Sequence, residues 1–200
     1  MKYRALLAGT ALWLSATQAQ AISIVPEPSE TMVAVGQIID IDLRIADLGP
    51  AGPPSIASFD ISLLFDPAIL GFHDVLFGDP DLGDQLDIFF GSFYASSTGL
   101  GFVQMDGVSF DDPLDLDAFQ ADAFVLGTIQ LEVLAEGIAD LTLDLALLDD
   151  GLLPTPTDLI PTTTLGGSQI VATSNAPAPS APWLIALGGA TLFRVRRTKR

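Results

Sequence analysis

Across residues 57–65, apolar and polar positions alternate: Phe59, Ile61, Leu63 and Phe65 are interleaved with Ser58, Asp60, Ser62 and Leu64. A period of two predicts a strand with one buried face. Asp66-Pro67 stops it, because proline has no N–H to give to a ladder, and Ile69 and Leu70 then resume an apolar run. The same period recurs over residues 37–48, with Ile39, Ile41, Leu43 and Ile45 on one face and Asp40, Asp42 and Arg44 on the other. It recurs again over 124–134, with Ile129, Leu131 and Val133 inward. Over 137–148, Leu141, Leu143, Leu145 and Leu147 are expected inward, and Asp140, Thr142 and Asp144 outward.

Shorter runs complete the pattern. Residues 22–25 read as a first edge strand ended by Pro26 and Pro28, and 31–35 leads through Gly36 into the next strand. Residues 69–77, 86–94 and 100–105 read as strands, the last two joined through Ser96-Ser97-Thr98-Gly99, and 168–172 reads as the closing strand. Gly- and Pro-rich stretches at 48–54 and 78–84 are loops, and 149–164 should run over the surface. Only 118–123 suggests a helical turn. About nine short alternating strands without crossover helices predict an all-β fold, an antiparallel, jelly-roll-like β-sandwich over residues 22–172.

The ends differ from this middle. Lys2 and Arg4 precede a ten-residue apolar run and then Ala19-Gln20-Ala21, small residues at the positions a signal peptidase reads. Residues 1–21 are therefore expected to be a secretory signal peptide cleaved after Ala21; as a membrane anchor the run is too short to span. Residues 173–182 form a Pro/Ala linker, 183–193 are apolar, and 194–200 are basic. Eleven helical residues reach about 17 Å against a hydrocarbon core of about 30 Å. The segment should associate with a membrane through a short hydrophobic helix whose basic end stays cytoplasmic, without being a strong permanent anchor.

Charge sharpens the picture. Seven of the eight cations lie at the two termini, so the middle of the chain carries Arg44 alone against all 25 acidic residues, a formal −24. Nucleic acid is excluded as a partner, because phosphate recognition needs a basic footprint. The chain has no cysteine, which excludes thiolate metal sites, a thiol nucleophile and disulfides. His73, the one histidine, has no marked nucleophile to serve and reads as a strand-surface residue. Two acidic clusters on loops stand out: Asp79, Asp81, Asp84 and Asp87, then Asp111, Asp112, Asp115 and Asp117. Such carboxylates are either solvated loop charge or candidates to converge on Ca²⁺, which takes six to eight oxygens; neither cluster has EF-hand spacing. No other cofactor is implied. Both tryptophans, Trp13 and Trp183, lie in the end segments, leaving Tyr94 and the phenylalanines, which read as core rather than as a sugar-stacking platform.

The tripartite tail resembles the PEP-CTERM class of sorting signals on exported bacterial proteins, which an exosortase processes in the membrane. Pro177-Ala178-Pro179 stands at the position of the Pro-Glu-Pro motif, without its glutamate, followed by the apolar run from Trp183 and the cluster Arg194, Arg196, Arg197. Over residues 33–171, Val35-Gly36-Gln37, the 57–65 strand with Phe65-Asp66-Pro67 and Leu70, Leu126-Gly127-Thr128-Ile129, and the strand from Gly137 to Leu145 resemble the cohesin-type domain, which is related to carbohydrate-binding sandwiches. Members of that family bind dockerin modules. The resemblances imply a non-enzymatic module at the cell surface or in the extracellular matrix of a bacterium, acting in adhesion or matrix assembly by docking an as yet unknown surface protein. The alternative is a module binding extracellular polysaccharide.

Overall fold

The computed structural model describes residues 21–49, 53–152 and 155–174. The expected signal segment with Ala19, most of the linker, and the sorting-signal positions Pro177, Pro179, Trp183, Arg194, Arg196 and Arg197 lie outside the described residues; Ala21 is exposed immediately before the first strand.

Two sheets pack face to face. One contains β1 (Ile22–Pro28), β3 (Ile38–Ala46), β5 (Leu70–Phe77), β8 (Phe124–Val133) and β10 (Thr163–Leu165), in the order β10-β1-β3-β8-β5. The other contains β2 (Met32–Ala34), β4 (Ser58–Leu64), β6 (Ser92–Gly99), β7 (Phe102–Ser109), β9 (Gly137–Asp149) and β11 (Ser168–Thr173), in the order β2-β11-β9-β4-β7-β6. The expected sandwich is present, with eleven strands where about nine were read. The two extra ladders are three residues long and parallel, β1 with β10 and β2 with β11, too short to leave a periodic signature.

The inward positions of the alternating runs make the core. Ile41, Leu43 and Ile45 of β3 and Ile129, Leu131 and Val133 of β8 meet Phe59, Ile61 and Leu63 of β4 and Val103 and Met105 of β7, all essentially inaccessible. Each such side chain contributes about 1.5–3 kcal/mol through burial, and β4, central between β9 and β7, contributes on both of its flanks. The open side between β5 and β6 is closed by Phe77 stacked on Tyr94, with centroids 4.7 Å apart.

Four sequence expectations are corrected. Pro26 and Pro28 do not end β1: the strand continues to Pro28 against β3, because β10 covers only Ile22–Ile24 on the other side and the prolines' missing donors fall on an unpaired edge. Leu147 does not point inward. A bulge sets Asp60 opposite Leu147 but Ile61 opposite Leu145, so the phase of β9 shifts at Ala146 and Leu148 is buried instead. Residues 86–91 are not strand, and the hairpin turn is Leu100-Gly101 rather than 96–99, with Gly101 at φ +79°. The helix α1 runs Pro113–Phe119, earlier than 118–123, because Asp112 caps it by accepting from the Leu114 N–H at 2.9 Å and Pro113 pre-sets its first turn.

Candidate docking face

In an antiparallel ladder, residues directly opposed share a face. With Phe59, Ile61 and Leu63 inward, the outer face of the six-stranded sheet is written by the other register lines. Ser58 stands beside Val108 and Phe93, Asp60 beside Asp106 and Ala95, Ser62 beside Gln104 and Ser97, and Leu64 beside Phe102 and Gly99. The β9 bulge adds Leu147 next to Asp60. The face therefore has a polar middle and exposed apolar positions at Leu64, Leu147, Val108 and Phe93.

The middle is organised by Gln104. Its Nε2 donates to Asp60 Oδ1 at 2.8 Å and reaches Asp106 Oδ1 at 3.4 Å, while its Oε1 accepts from Ser97 Oγ at 3.2 Å. Partial burial and then the neighbouring Asp60 charge push the Asp106 carboxyl above the usual range, against the pull of the Gln104 amide. Two carboxylates sharing one amide donor leave lone pairs facing outward. That arrangement suits a cationic or multiply donating group on a partner.

Beyond Ser109 the face ends in an aromatic tip. Phe89, Phe90, Phe93, Phe110 and Phe119 are 58, 69, 59, 61 and 61% exposed. Phe89 packs edge-on against Phe119 with centroids 5.4 Å apart and against Phe90 at 6.5 Å. The loop is held by buried Asp111, which accepts from the N–H groups of Ile88, Phe89 and Phe90 at 2.6, 3.0 and 2.8 Å. Asp87 accepts from Gly91 N at 2.9 Å, and Ser109 Oγ donates to the Leu86 carbonyl at 2.6 Å. On the helix side, Gln120 exchanges hydrogen bonds with both backbone groups of Ile56, and Ser55 Oγ donates to Asp117. The phenylalanines thus project from a hydrogen-bonded frame, the low-entropy form of an apolar contact surface.

The acidic clusters do not converge. Among the described residues, no three acidic or histidine side chains are arranged to hold a metal ion. Asp79 is buried and accepts from the N–H groups of Asp81, Leu82 and Val125 at 2.7–2.8 Å. Burial pushes it upward, but the amides of Leu82, Val125 and Asp81, helped by Arg44, outweigh this and hold it below the usual carboxylate range. Asp84 accepts from the Leu86 N–H, Ser92 Oγ and the Tyr94 hydroxyl. Asp112 caps α1, Asp115 sits in its first turn, and Asp81 is exposed. Most of the clustered aspartates thus serve as backbone acceptors that shape the loops, a use a residue count cannot separate from metal binding.

Tyr94 is half-buried against Phe77 with its hydroxyl on Asp84; burial and that carboxylate raise the phenol well above its ordinary value. One face of its ring is taken by Phe77, and the residue packs against the core rather than standing out as a platform. The reading of the phenylalanines as core is corrected for the five at the tip. Their signal was Phe89-Phe90-Gly91, an aromatic pair out of phase with any alternation. His73 is exposed on β5, at an irregularity in its pairing with β8, as expected of a strand-surface residue. Asp60 lies on β4 and Gln104 and Asp106 on β7, and their grouping appears only in the register.

The architecture has solved counterparts. The chain is similar to the seventh ScaB type I cohesin from Pseudobacteroides cellulosolvens, at 16% identity over 79% of this chain and 96% of that one, with a TM-score of 0.58. It is similar to a type II cohesin domain from the cellulosome of Acetivibrio cellulolyticus, at 14% identity over 75 and 95% of the chains, TM-score 0.59. A third counterpart occurs in the Coh-OlpA–Doc918 cohesin–dockerin complex of Clostridium thermocellum, at 14% identity over 76 and 99%, TM-score 0.56. No protein-family model and no curated protein sequence matches the chain. At these identities the likeness establishes a cohesin-like β-sandwich.

Proposed function

We propose that this chain is an exported, non-enzymatic docking module that binds a partner protein through the outer face of its six-stranded sheet. The observation that carries the reading is that face itself: an Asp60–Gln104–Asp106 centre flanked by exposed apolar side chains and a braced phenylalanine tip. Burial of an apolar rim around a few oriented polar groups is how protein interfaces are built. The fold supports the reading, since its solved counterparts include a cohesin in complex with a dockerin. The partner class is therefore a dockerin-like protein module presenting cationic side chains.

Export rests on Lys2, Arg4 and the apolar run before Ala21. Retention at the cell surface or in a matrix rests on the Pro177/Pro179, Trp183 and Arg194–Arg197 pattern, which an exosortase-type enzyme would process. Among the described residues no helix is long and apolar enough to cross a membrane.

Titration calorimetry of the chain against a panel of dockerin modules tests the docking reading. Saturable binding that is lost in Asp60→Lys/Asp106→Lys and kept in Glu132→Lys, on the other sheet, is expected. Binding that survives the double reversal, or no binding across the panel, would refute it.

A further inference from the structure

We infer that β6 is a self-association edge: the strand pairs antiparallel with β6 of a second copy about a two-fold axis at Ala95, joining the two six-stranded sheets edge to edge. The inference does not rest on the docking reading, because the Asp60–Gln104–Asp106 centre stays open in such a pair.

Among the described residues the two sheets end in the edge strands β10, β5, β2 and β6, and all but the last are guarded. β10 and β2 pair over three residues only. β5 carries Asp74 and an irregularity in its ladder between Phe72 and Asp74. Short length, charge and bulges are the devices that keep a free edge from pairing. β6 has none of them. It runs eight residues in unbroken register with β7, holds no proline, and is uncharged in a chain with 25 acidic residues.

The direction of its backbone groups follows from β7. The Phe65 N–H donates to the Gly101 carbonyl and the Phe110 N–H to that of Gly91, so odd-numbered residues of β7 bond β4 and even-numbered ones bond β6. The residues opposed to the latter, Phe93, Ala95, Ser97 and Gly99, turn their N–H and C=O groups to β7. Ser92, Tyr94, Ser96 and Thr98 therefore turn theirs to the open edge, where no described strand pairs with them. Ser96 to Gly99 are exposed along it.

The strand is complementary to itself. With Ala95 on the axis, Ser92 stands against Thr98 of the copy and Tyr94 against Ser96, all four with backbone groups turned outward. Two bonds per such pair give about eight hydrogen bonds, more than any other register of the strand allows. On the outer face Phe93 stands against the copy's Ser97, and Ala95 against Ala95. Large side chains thus meet small ones, Ser92 and Thr98 bring hydroxyls together, and Phe93, 59% exposed in the single chain, is covered. Charge tunes the contact without forbidding it. Asp106 lies opposite Ala95 on β7, so the two Asp106 carboxylates stand three strand spacings apart, about 14 Å. That exceeds the screening length of about 8 Å at physiological ionic strength. Asp84, beneath Ser92 and Tyr94, adds a second acidic group on each side, so the association strengthens with salt.

The chain has no cysteine, so one thiol can be introduced at a time into the otherwise unaltered full chain. Ala95→Cys places two thiols on the axis, in a non-hydrogen-bonded pair whose Cα atoms stand about 4.5 Å apart, within disulfide reach. Ser97→Cys, on the same face, sets them four residues apart along the strand, about 13 Å and out of reach. Mild oxidation read on non-reducing gels is expected to give covalent dimer about tenfold faster for Ala95→Cys than for Ser97→Cys. Adding Ser96→Pro, which removes an N–H that the pairing with β7 does not use, should abolish the difference and leave the circular dichroism unchanged. Sedimentation of the unaltered chain should show a dimer fraction that rises with salt. Equal rates for the two cysteines, or an Ala95→Cys rate that survives Ser96→Pro, would overturn the inference in favour of random collision or contact elsewhere. A chain that stays monomeric at every salt concentration would also overturn it, leaving the edge to an extended segment of another protein. None of these readouts involves a dockerin, so a failed dockerin panel leaves them decisive, and a failed cross-link leaves the docking reading standing.

Discussion

Gly107 lies on β7 between two residues of the outer face, Asp106 and Val108, with its own side-chain direction aimed into the core. A methyl group there would stand 2.8 Å from Phe59 Cζ and 3.0 Å from Tyr94 Cε1, and nearer still to Phe59 Cε1. Neither ring can step aside cheaply. Phe59 is fully buried, and Tyr94 is fixed by its stack on Phe77 and its hydroxyl on Asp84. Gly107→Ala is therefore an overpacking substitution, costing about 1–3 kcal/mol despite alanine's better backbone propensity. For a domain of this size each kcal/mol moves Tm by about 2–4 °C, so a cost near 2 kcal/mol lowers it by about 4–8 °C. Far-UV circular dichroism melts, with urea titrations to confirm an unchanged m-value, measure this directly. Phe59→Leu should cost less in the Gly107→Ala background than alone, with a coupling of about 0.5–3 kcal/mol in the double-mutant cycle. A Gly107→Ala protein that melts at or above the parent temperature would refute the steric reasoning. Additive single mutants would show that Phe59 is not the obstacle.

Asp106 has its carboxyl pushed up in the fold, so its contribution favours folding below the unfolded-state value and is lost as pH rises through the folded one. Asp106→Asn should thus stabilise the protein at neutral pH, and urea titrations at several pH values should show the gain shrinking in acid. Asp79 and Asp150 are shifted the other way: burial is overcome by backbone donors, the Thr157 and Leu152 amides in the case of Asp150. Their support is present at neutral pH and lost as pH falls through their lowered values. Asp79→Asn, which turns an amide donor toward amides that now meet a carboxylate, should cost about 1–3 kcal/mol at pH 7 in the same titrations. Asp111→Ala should cost about 2 kcal/mol and speed hydrogen exchange of the Ile88, Phe89 and Phe90 amides, leaving β3 and β8 protected; unchanged exchange would mean that Asp111 does not brace the tip.

The β-sandwich was legible because its strands are half-wet. Ile39 to Ile45, Phe59 to Phe65 and Ile129 to Val133 alternate cleanly, and alternation is a local property that one sequence displays. Where the reading failed, a non-local term decided. The β9 phase depends on a bulge at Ala146, visible only against β4, so Leu147 looked like core. Residues 86–91 are rich enough in apolar side chains to read as strand, yet Asp111, more than twenty residues away, takes their N–H groups instead of a neighbouring strand. The clustered aspartates suggested a cation because density is all that a sequence reports; Asp79, Asp84, Asp87, Asp111 and Asp112 accept from nearby backbone amides, and among the described residues no three acidic side chains are arranged to hold a metal ion.

The sequence alone therefore determined the architecture, the acidic character of the domain and the distinct nature of its two ends, all of which derive from periodicity and composition. Tertiary structure decided what the surface presents. Register across β9, β4, β7 and β6 placed Asp60, Gln104 and Asp106 together and ranged Leu64, Leu147, Val108 and Phe93 around them. At the phenylalanine tip the N–H groups of Phe89 and Phe90 are met by Asp111 and that of Gly91 by Asp87 rather than by a neighbouring strand, and the rings pack on one another while staying largely exposed. Strand pairing sets which residues are neighbours, and that information is carried by partners far apart in the chain.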